Sequence, residues 1–274
     1  MEDIRQAGFL QEFIRTMENM YAHGWDEKNG GNLSLLLEEE QLRPYLAADA
    51  VRRRMDTGFA CPALAGRCLL ITGTGKYFKN VRFRPQDDLG VIRIADDGTA
   101  AELLWGFEDG GSFTSELPAH LMSHSARLAA DPAHCVVLHC HPDALIAMTH
   151  VHPLDERRFT RTLWKMCTEA IIALPEGAAV LPWMLCGTQA IGAATAEKMA
   201  RCRLVVWAMH GVYGAGSSLD DAYGLVETAD KAAGIYLRIA GLPHGDGIPD
   251  EGLRALAERF ALPVRDEWLD GTEN

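Results

Sequence analysis

Three apolar runs, at residues 68–72, 135–141 and 204–210, each end on residues that can do chemistry. The first reaches Thr72 and then Gly73-Thr74-Gly75-Lys76, the second ends in His139-Cys140-His141, and the third ends in His210 before Gly211. Runs this short, rich in Val, Leu and Ile, read as buried strands rather than helices. A strand buried on both faces needs cover on both, and the segments between the runs carry a helical period that can supply it. Helices are predicted over 1–23 (Leu10, Phe13, Ile14, Met17, Met20 and Tyr21 at helical spacing, Gly24 as the stop), 115–130, 155–166, 188–201, 218–240 and 250–261. Thr114 or Ser115 caps the second of these, with Pro118 in its tolerated first turn. Further strands are predicted over 33–37, 90–94, 101–105 and 170–174, with Asp96-Asp97-Gly98 turning a hairpin between 90–94 and 101–105. Residues 38–66 read as an irregular excursion, and no stretch has linker composition. The expectation is one α/β (α+β-like) domain over residues 1–274, a central, mostly antiparallel sheet covered by helices on both sides.

Charge and cysteine usage narrow the function. Twenty-six Lys and Arg against 38 Asp and Glu leave a formal charge of −12, which argues against a nucleic-acid partner. No stretch reaches the roughly 18 apolar residues of a membrane span. The start, Met1-Glu2-Asp3-Ile4-Arg5-Gln6, is not that of a signal peptide. Seven scattered cysteines without a CxxC pair suit free thiols in a reducing compartment, so a cytoplasmic location is expected.

Side chains alternate along a strand, so His139 and His141 share one face and Cys140 the other. Two imidazoles at that spacing can chelate a metal. His210, at the end of another strand, can complete a three-histidine set with one open position, the catalytic form of zinc coordination. His150 and His152, before Pro153 at a helix end, read as a solvated pair. His120 and His124 lie four apart on a predicted helix and could also chelate, but Leu121, Met122 and Ser123 between them exclude an HExxH motif.

Three turns offer anion donors: Asn29-Gly30-Gly31-Asn32, Thr72-Gly73-Thr74-Gly75-Lys76, and Thr114-Ser115 at a helix start. Neither GxxxxGK[ST] nor GxGxxG occurs, which disfavours a nucleotide triphosphatase and a dinucleotide fold. Glu116 follows directly. It reads either as a favourable carboxylate at a helix N-terminus or as a general base beside metal and phosphate.

These stretches, with Gly24-Trp25-Asp26-Glu27, Thr114-Ser115-Glu116-Leu117-Pro118-Ala119-His120 and Leu181-Pro182-Trp183-Met184, resemble the class II aldolase/adducin family over nearly the whole chain. The resemblance implies cleavage of a ketose 1-phosphate into dihydroxyacetone phosphate and a lactaldehyde, with zinc and without a Schiff base. It implies one Zn2+ per subunit on His139, His141 and His210, and proton transfer by Glu116 at the carbon that becomes nucleophilic. It implies a phosphate site of Asn29, Gly31, Asn32, Thr74, Gly75, Thr114 and Ser115, and Glu169 presented from a neighbouring subunit near the aldehyde. A homotetramer with active sites at subunit interfaces, acting on a small sugar phosphate, follows from the same resemblance. The alternatives within the family are another sugar-phosphate activity, such as a fuculose-phosphate aldolase or a ribulose-phosphate 4-epimerase, and a non-catalytic adducin-like interaction domain.

Overall fold

Leu33, Leu35 and Leu37 alternate with Ser34 and Leu36 along β1 (Asn32–Leu37), and the two sets enter different packing layers. In the computed structural model, which describes residues 1–47, 50–243 and 245–270, β1 sits at the centre of a sheet. The other strands are β2 (Arg53–Asp56), β3 (Cys68–Thr72), β4 (Leu89–Ile94), β5 (Ala100–Gly106), β6 (Val136–Cys140), β7 (Ala178–Leu181), β8 (Leu204–Trp207) and β9 (Gly211–Gly216). Their order is β2-β5-β4-β3-β1-β6-β9-β8-β7, and every neighbouring pair is antiparallel except β7 with β8.

Alternate side chains along these strands divide the core. Leu35, Leu70, Leu138 and Val212 pack with the buried stripes of helices Gly8–Ala22 and Leu219–Ile239. On the opposite face, Leu36, Leu69, Ile71 and Val137 belong to clusters that include Leu117, Ala119 and Leu121 of helix Leu117–Ala130 and Ile191 of helix Gln189–Met199. The sheet is therefore covered on both sides, as its doubly buried strands require. Ser218 caps the long helix, its side chain accepting from the Asp221 amide, and Asp220 and Asp221 lie in the first turn where the helix dipole favours them. No helix of the described residues is long and apolar enough to cross a membrane.

Several sequence expectations are corrected. Residues 170–174 form no strand: Thr168–Ala173 is a helix, whose buried Ala170 and Ile171, with Leu174 beyond its end, follow a helical spacing. The strand of that region is β7, four residues further on, parallel to β8. A five-residue apolar run has too few periods to separate the two. The 38–66 excursion contributes an edge strand, β2, paired with β5, half exposed and alternating. The first helix is divided, a 3-10 turn Ile4–Gln6 preceding Gly8–Ala22, and Tyr21 faces solvent. Helix Leu117–Ala130 begins later than predicted, with Glu116 at the N-cap position; the Thr114 hydroxyl instead accepts from the Glu116 amide at 3.3 Å.

The topology places chemistry at one end of the central strands. The register pairs Asn32 with His139 across β1 and β6, and His139 with Tyr213 across β6 and β9. His210 lies in the turn between β8 and β9, and a bridge between Gly73 and Phe113 sets the second glycine loop beside the approach to Glu116.

Candidate active site

His139 is fully buried and rigidly held. Its Nδ1 donates to the Val212 carbonyl at 2.9 Å, and its ring stacks on Tyr213 with centroids 4.8 Å apart. The carbonyl can only accept, so Nδ1 carries the proton and Nε2 keeps its lone pair. His141 makes the corresponding outer contact with a carboxylate, Nδ1 lying 2.9 Å from Glu27 Oε1. This is the outer-shell arrangement of a metal-binding imidazole. Cys140, between them, points into the opposite layer of the core, as strand alternation requires.

One ligand nitrogen from each of His139, His141 and His210 lies within 4.8 Å of the other two. The Nε2 atoms of His139 and His141 are 3.3 Å apart. A tetrahedral zinc with bonds near 2.05 Å spaces its ligand nitrogens by about 3.3 Å. With both Nδ1 atoms engaged elsewhere, both Nε2 atoms turn toward one point at the separation a metal ion would set. The residues therefore fit a metal. Met209, directly before His210, holds a left-handed backbone (φ 59°), and its amide is tied to the Thr149 hydroxyl at 2.9 Å. That left-handed residue sits directly beside a metal-ligand candidate, the kind of place where strained backbone is found.

Glu116 stands over this triad, its Oε2 3.6 Å from His139 Nε2. The same oxygen accepts from Tyr213 Oη at 2.8 Å and from Asn32 Nδ2 at 3.1 Å. Burial would raise this carboxyl, but the His139 ring and the two hydrogen bonds outweigh it and hold the group at about 2. Burial also pushes His139 down to about 3, so its ring is neutral at pH 7 and the Asn32 and Tyr213 bonds carry the stabilisation there. Burial and the Glu116 charge push the Tyr213 phenol well up, which keeps it a donor. Oε1 receives no hydrogen bond from the described residues and is the oxygen left to meet a ligand.

The same cleft is lined by Asn29, Gly31, Asn32, Thr74, Gly75, Thr114, Ser115, Glu116, His139, His141 and His210. Eleven of the twelve site residues that the family resemblance implies thus meet in one place. Among the described residues, the amides of Gly31, Gly75 and Ser115 donate to no other group. Unpaired amides beside a helix N-terminus favour an anion. Asn32 is the exception within the set: its side-chain amide is committed to Glu116 and His120. Glu169 lies elsewhere, exposed in the first turn of its helix in a hollow with His23, Trp25 and Lys231. His150 is exposed, and His152 bonds to the Thr162 hydroxyl and the Pro153 carbonyl. His120 and His124 are not ligands; they sit fully buried behind Asn32.

Gly31 shows how tightly this loop is built. It adopts φ +75°, and a Cβ there would fall 1.7 Å from the buried Asp26 carboxylate. Gly31→Ala should therefore cost roughly 2–4 kcal/mol through backbone strain and overlap, read as a shift in the urea midpoint at constant slope. An unchanged midpoint would show that the loop can relax. Gly211 is constrained for a different reason: a Cβ would meet the Cys140 carbonyl at 2.4 Å and His141 Cδ2 at 2.8 Å. The absence of a side chain there lets β9 approach the two ligand-bearing positions.

Sequence reasoning missed Tyr213 and Glu27. Tyr213 follows Gly211 by two, so alternation would have put it on the same face, but Gly211, Gly214 and Gly216 conceal the strand.

The chain matches the family described as Class II Aldolase and Adducin N-terminal domain over residues 11–237. It is 50% identical over 272 residues to the rhamnulose-1-phosphate aldolase of Listeria monocytogenes serotype 4a (strain HCC23), covering 98% of this chain and 99% of the relative. It is 46% identical over 269 residues to the rhamnulose-1-phosphate aldolase of Enterococcus faecalis, covering 98% and 96%. Among solved structures, a sugar-phosphate aldolase from Thermotoga maritima superposes with a TM-score of 0.74 at 28% identity, covering 86% of this chain and 97% of the other.

Proposed function

The chain belongs to the class II aldolase and adducin family, and from that premise we propose that it cleaves L-rhamnulose 1-phosphate reversibly into dihydroxyacetone phosphate and L-lactaldehyde. The observation that carries the catalytic reading is the convergence of three imidazoles with one ionised, half-satisfied carboxylate in a cleft of free amides. An interaction domain has no use for such a set.

Zinc held by His139, His141 and His210 would supply Lewis acidity toward charge developing on the substrate's oxygens. The unpaired amides of Gly31, Gly75 and Ser115, with the hydroxyls of Thr74, Thr114 and Ser115, hold the phosphate and orient the three-carbon end. Asn29 lines the same wall. Glu116 moves the proton at the carbon that becomes nucleophilic, through Oε1, while Asn32 and Tyr213 keep Oε2 fixed. Glu169 acts near the aldehyde of a neighbouring subunit in a homotetramer, which accounts for its distance from the cleft of its own chain. Zinc as the bound metal, the tetramer and a cytoplasmic location are parts of this reading.

The test is release of dihydroxyacetone phosphate from L-rhamnulose 1-phosphate and from L-fuculose 1-phosphate, side by side, with a chelator control. Chelator-sensitive release, faster from the rhamnulose phosphate, is expected. Faster release from the fuculose phosphate would reassign the substrate. No release from either would move the function to an epimerase or a non-catalytic role.

A further inference from the structure

Behind Asn32 lies a chain of buried polar groups that the catalytic reading leaves unused. Ser34 Oγ is 2.7 Å from His120 Nδ1 and 2.8 Å from His124 Nε2, and all three residues are wholly inaccessible to solvent. The far nitrogen of His120, Nε2, hydrogen-bonds Asn32 Oδ1. Asn32 Nδ2 in turn donates to Glu116 Oε2 at 3.1 Å. Both rings are neutral: burial brings His120 down to about 4 and His124 well below the usual range.

The direction of every bond in this chain follows from its end. An ionised carboxylate can only accept, so the Asn32 amide must turn its NH2 to Glu116 and its oxygen to His120. That oxygen can only accept, so His120 carries its single proton on Nε2. His120 Nδ1 is then an acceptor, and the Ser34 hydroxyl proton must point at it. Ser34 Oγ is left to accept from His124, which must also be protonated on Nε2. The Val137 carbonyl, 3.5 Å from the same hydroxyl, is too distant to compete well for its proton. His124 Nδ1 has no hydrogen-bond partner among the described residues, so the relay ends there on an acceptor. Buried polar groups are costly unless paired, and the four bonds joining these five groups can run in one sense only.

We propose that His120, oriented by Ser34 and His124, is a positioning residue for the proton-transfer carboxylate: it locks the Asn32 amide in the orientation that donates to Glu116. The reverse orientation would aim the Asn32 oxygen at a carboxylate oxygen. The proposal rests on the role of Glu116 given above. It assigns no substrate contact to His120, whose ring lies behind Asn32.

The test uses the full zinc-loaded chain with 15N-labelled histidine and a long-range proton–nitrogen correlation at pH 7.5. His120 and His124 are identified by the signals lost in His120→Gln and His124→Gln. Both rings are expected neutral, with the proton on Nε2. A His120 proton on Nδ1, or a cationic ring, would overturn the relay. Kinetics supply the second arm. Ser34→Ala should redistribute the His120 tautomer and lower kcat by roughly 10- to 100-fold, with KM and zinc content nearly unchanged. His120→Gln, whose amide can donate where Nε2 does, should retain far more turnover than His120→Leu. Unchanged kcat in Ser34→Ala, or equal losses in the Gln and Leu variants, would defeat the proposal. The tautomer is read in the resting protein, so a wrong one counts against the relay whatever reaction is catalysed. Full turnover in Glu116→Gln would instead defeat the role of Glu116 with the tautomers as expected.

Discussion

Glu116→Gln should lower turnover by roughly 1,000-fold while leaving the fold and the metal content intact. The substitution is close to isosteric, and the hydrogen bonds say how the new side chain will lie. Tyr213 and Asn32 both donate to Oε2, so the amide oxygen of Gln must occupy that position, leaving the NH2 group in place of Oε1. No metal-ligand candidate loses a partner, because His139 is anchored by the Val212 carbonyl and His141 by Glu27. What disappears is the unshared oxygen able to take a proton, together with the negative charge. Steady-state kinetics with L-rhamnulose 1-phosphate, alongside metal analysis and a thermal melt, separate these effects. A zinc-replete, folded Gln variant within tenfold of the parent would remove Glu116 from proton transfer. The same reasoning makes Glu116→Asp severe, since retracting the carboxylate by one methylene breaks both anchoring bonds.

The candidate site was legible in the sequence where local geometry alone decides the outcome. Alternation along a strand put His139 and His141 together without knowledge of any neighbour. The glycine loops read as anion-donor turns because unobstructed amides need little context to be donors, and it is the fold that brings them to one cleft. Other features depend on pairings that no local pattern encodes. Tyr213 reaches Glu116 only because β9 lies beside β6 in the register that sets it opposite His139. Asn32, at the end of a glycine loop, reads as a phosphate donor until the fold brings Glu116 and His120 against its side chain. The His120 and His124 pair has the spacing of a chelate on a helix but not the HExxH motif, and spacing alone gives it no partner. Its actual partner, Ser34, lies 86 and 90 residues away in sequence. The 170–174 run failed for a different reason, being too short for its period to be read.

Replacing His139 by Ala should abolish stoichiometric metal binding and, with it, all measurable aldol cleavage. Loss of an outer-shell partner typically costs 10- to 100-fold in metal affinity, and loss of a ligand must cost more. The His139 ring also fills a fully buried position between Tyr213 and Trp207, with centroids 4.8 and 5.1 Å away, so its truncation leaves a cavity as well. Some loss of thermal stability is therefore expected from His139→Ala regardless of metal. His210→Ala separates the two effects better, because that ring is half-buried and lies in a turn, so its removal gives up less packing than that of the fully buried His139, although it does lose the Trp207 ring 5.1 Å away. It should retain a near-parental melt in chelator and fail to gain the stabilisation that added zinc gives the parent. Glu27→Gln provides the intermediate case: the ligand set survives, but the carboxylate that orients His141 is neutralised, so affinity should fall by roughly 10- to 100-fold with activity recovered at higher zinc. Zinc titrations followed by metal analysis and melting temperature would rank the parent, Glu27→Gln and His210→Ala in that order. Full occupancy in either histidine variant would mean that the metal lies elsewhere, and the three imidazoles would then need another reason to converge.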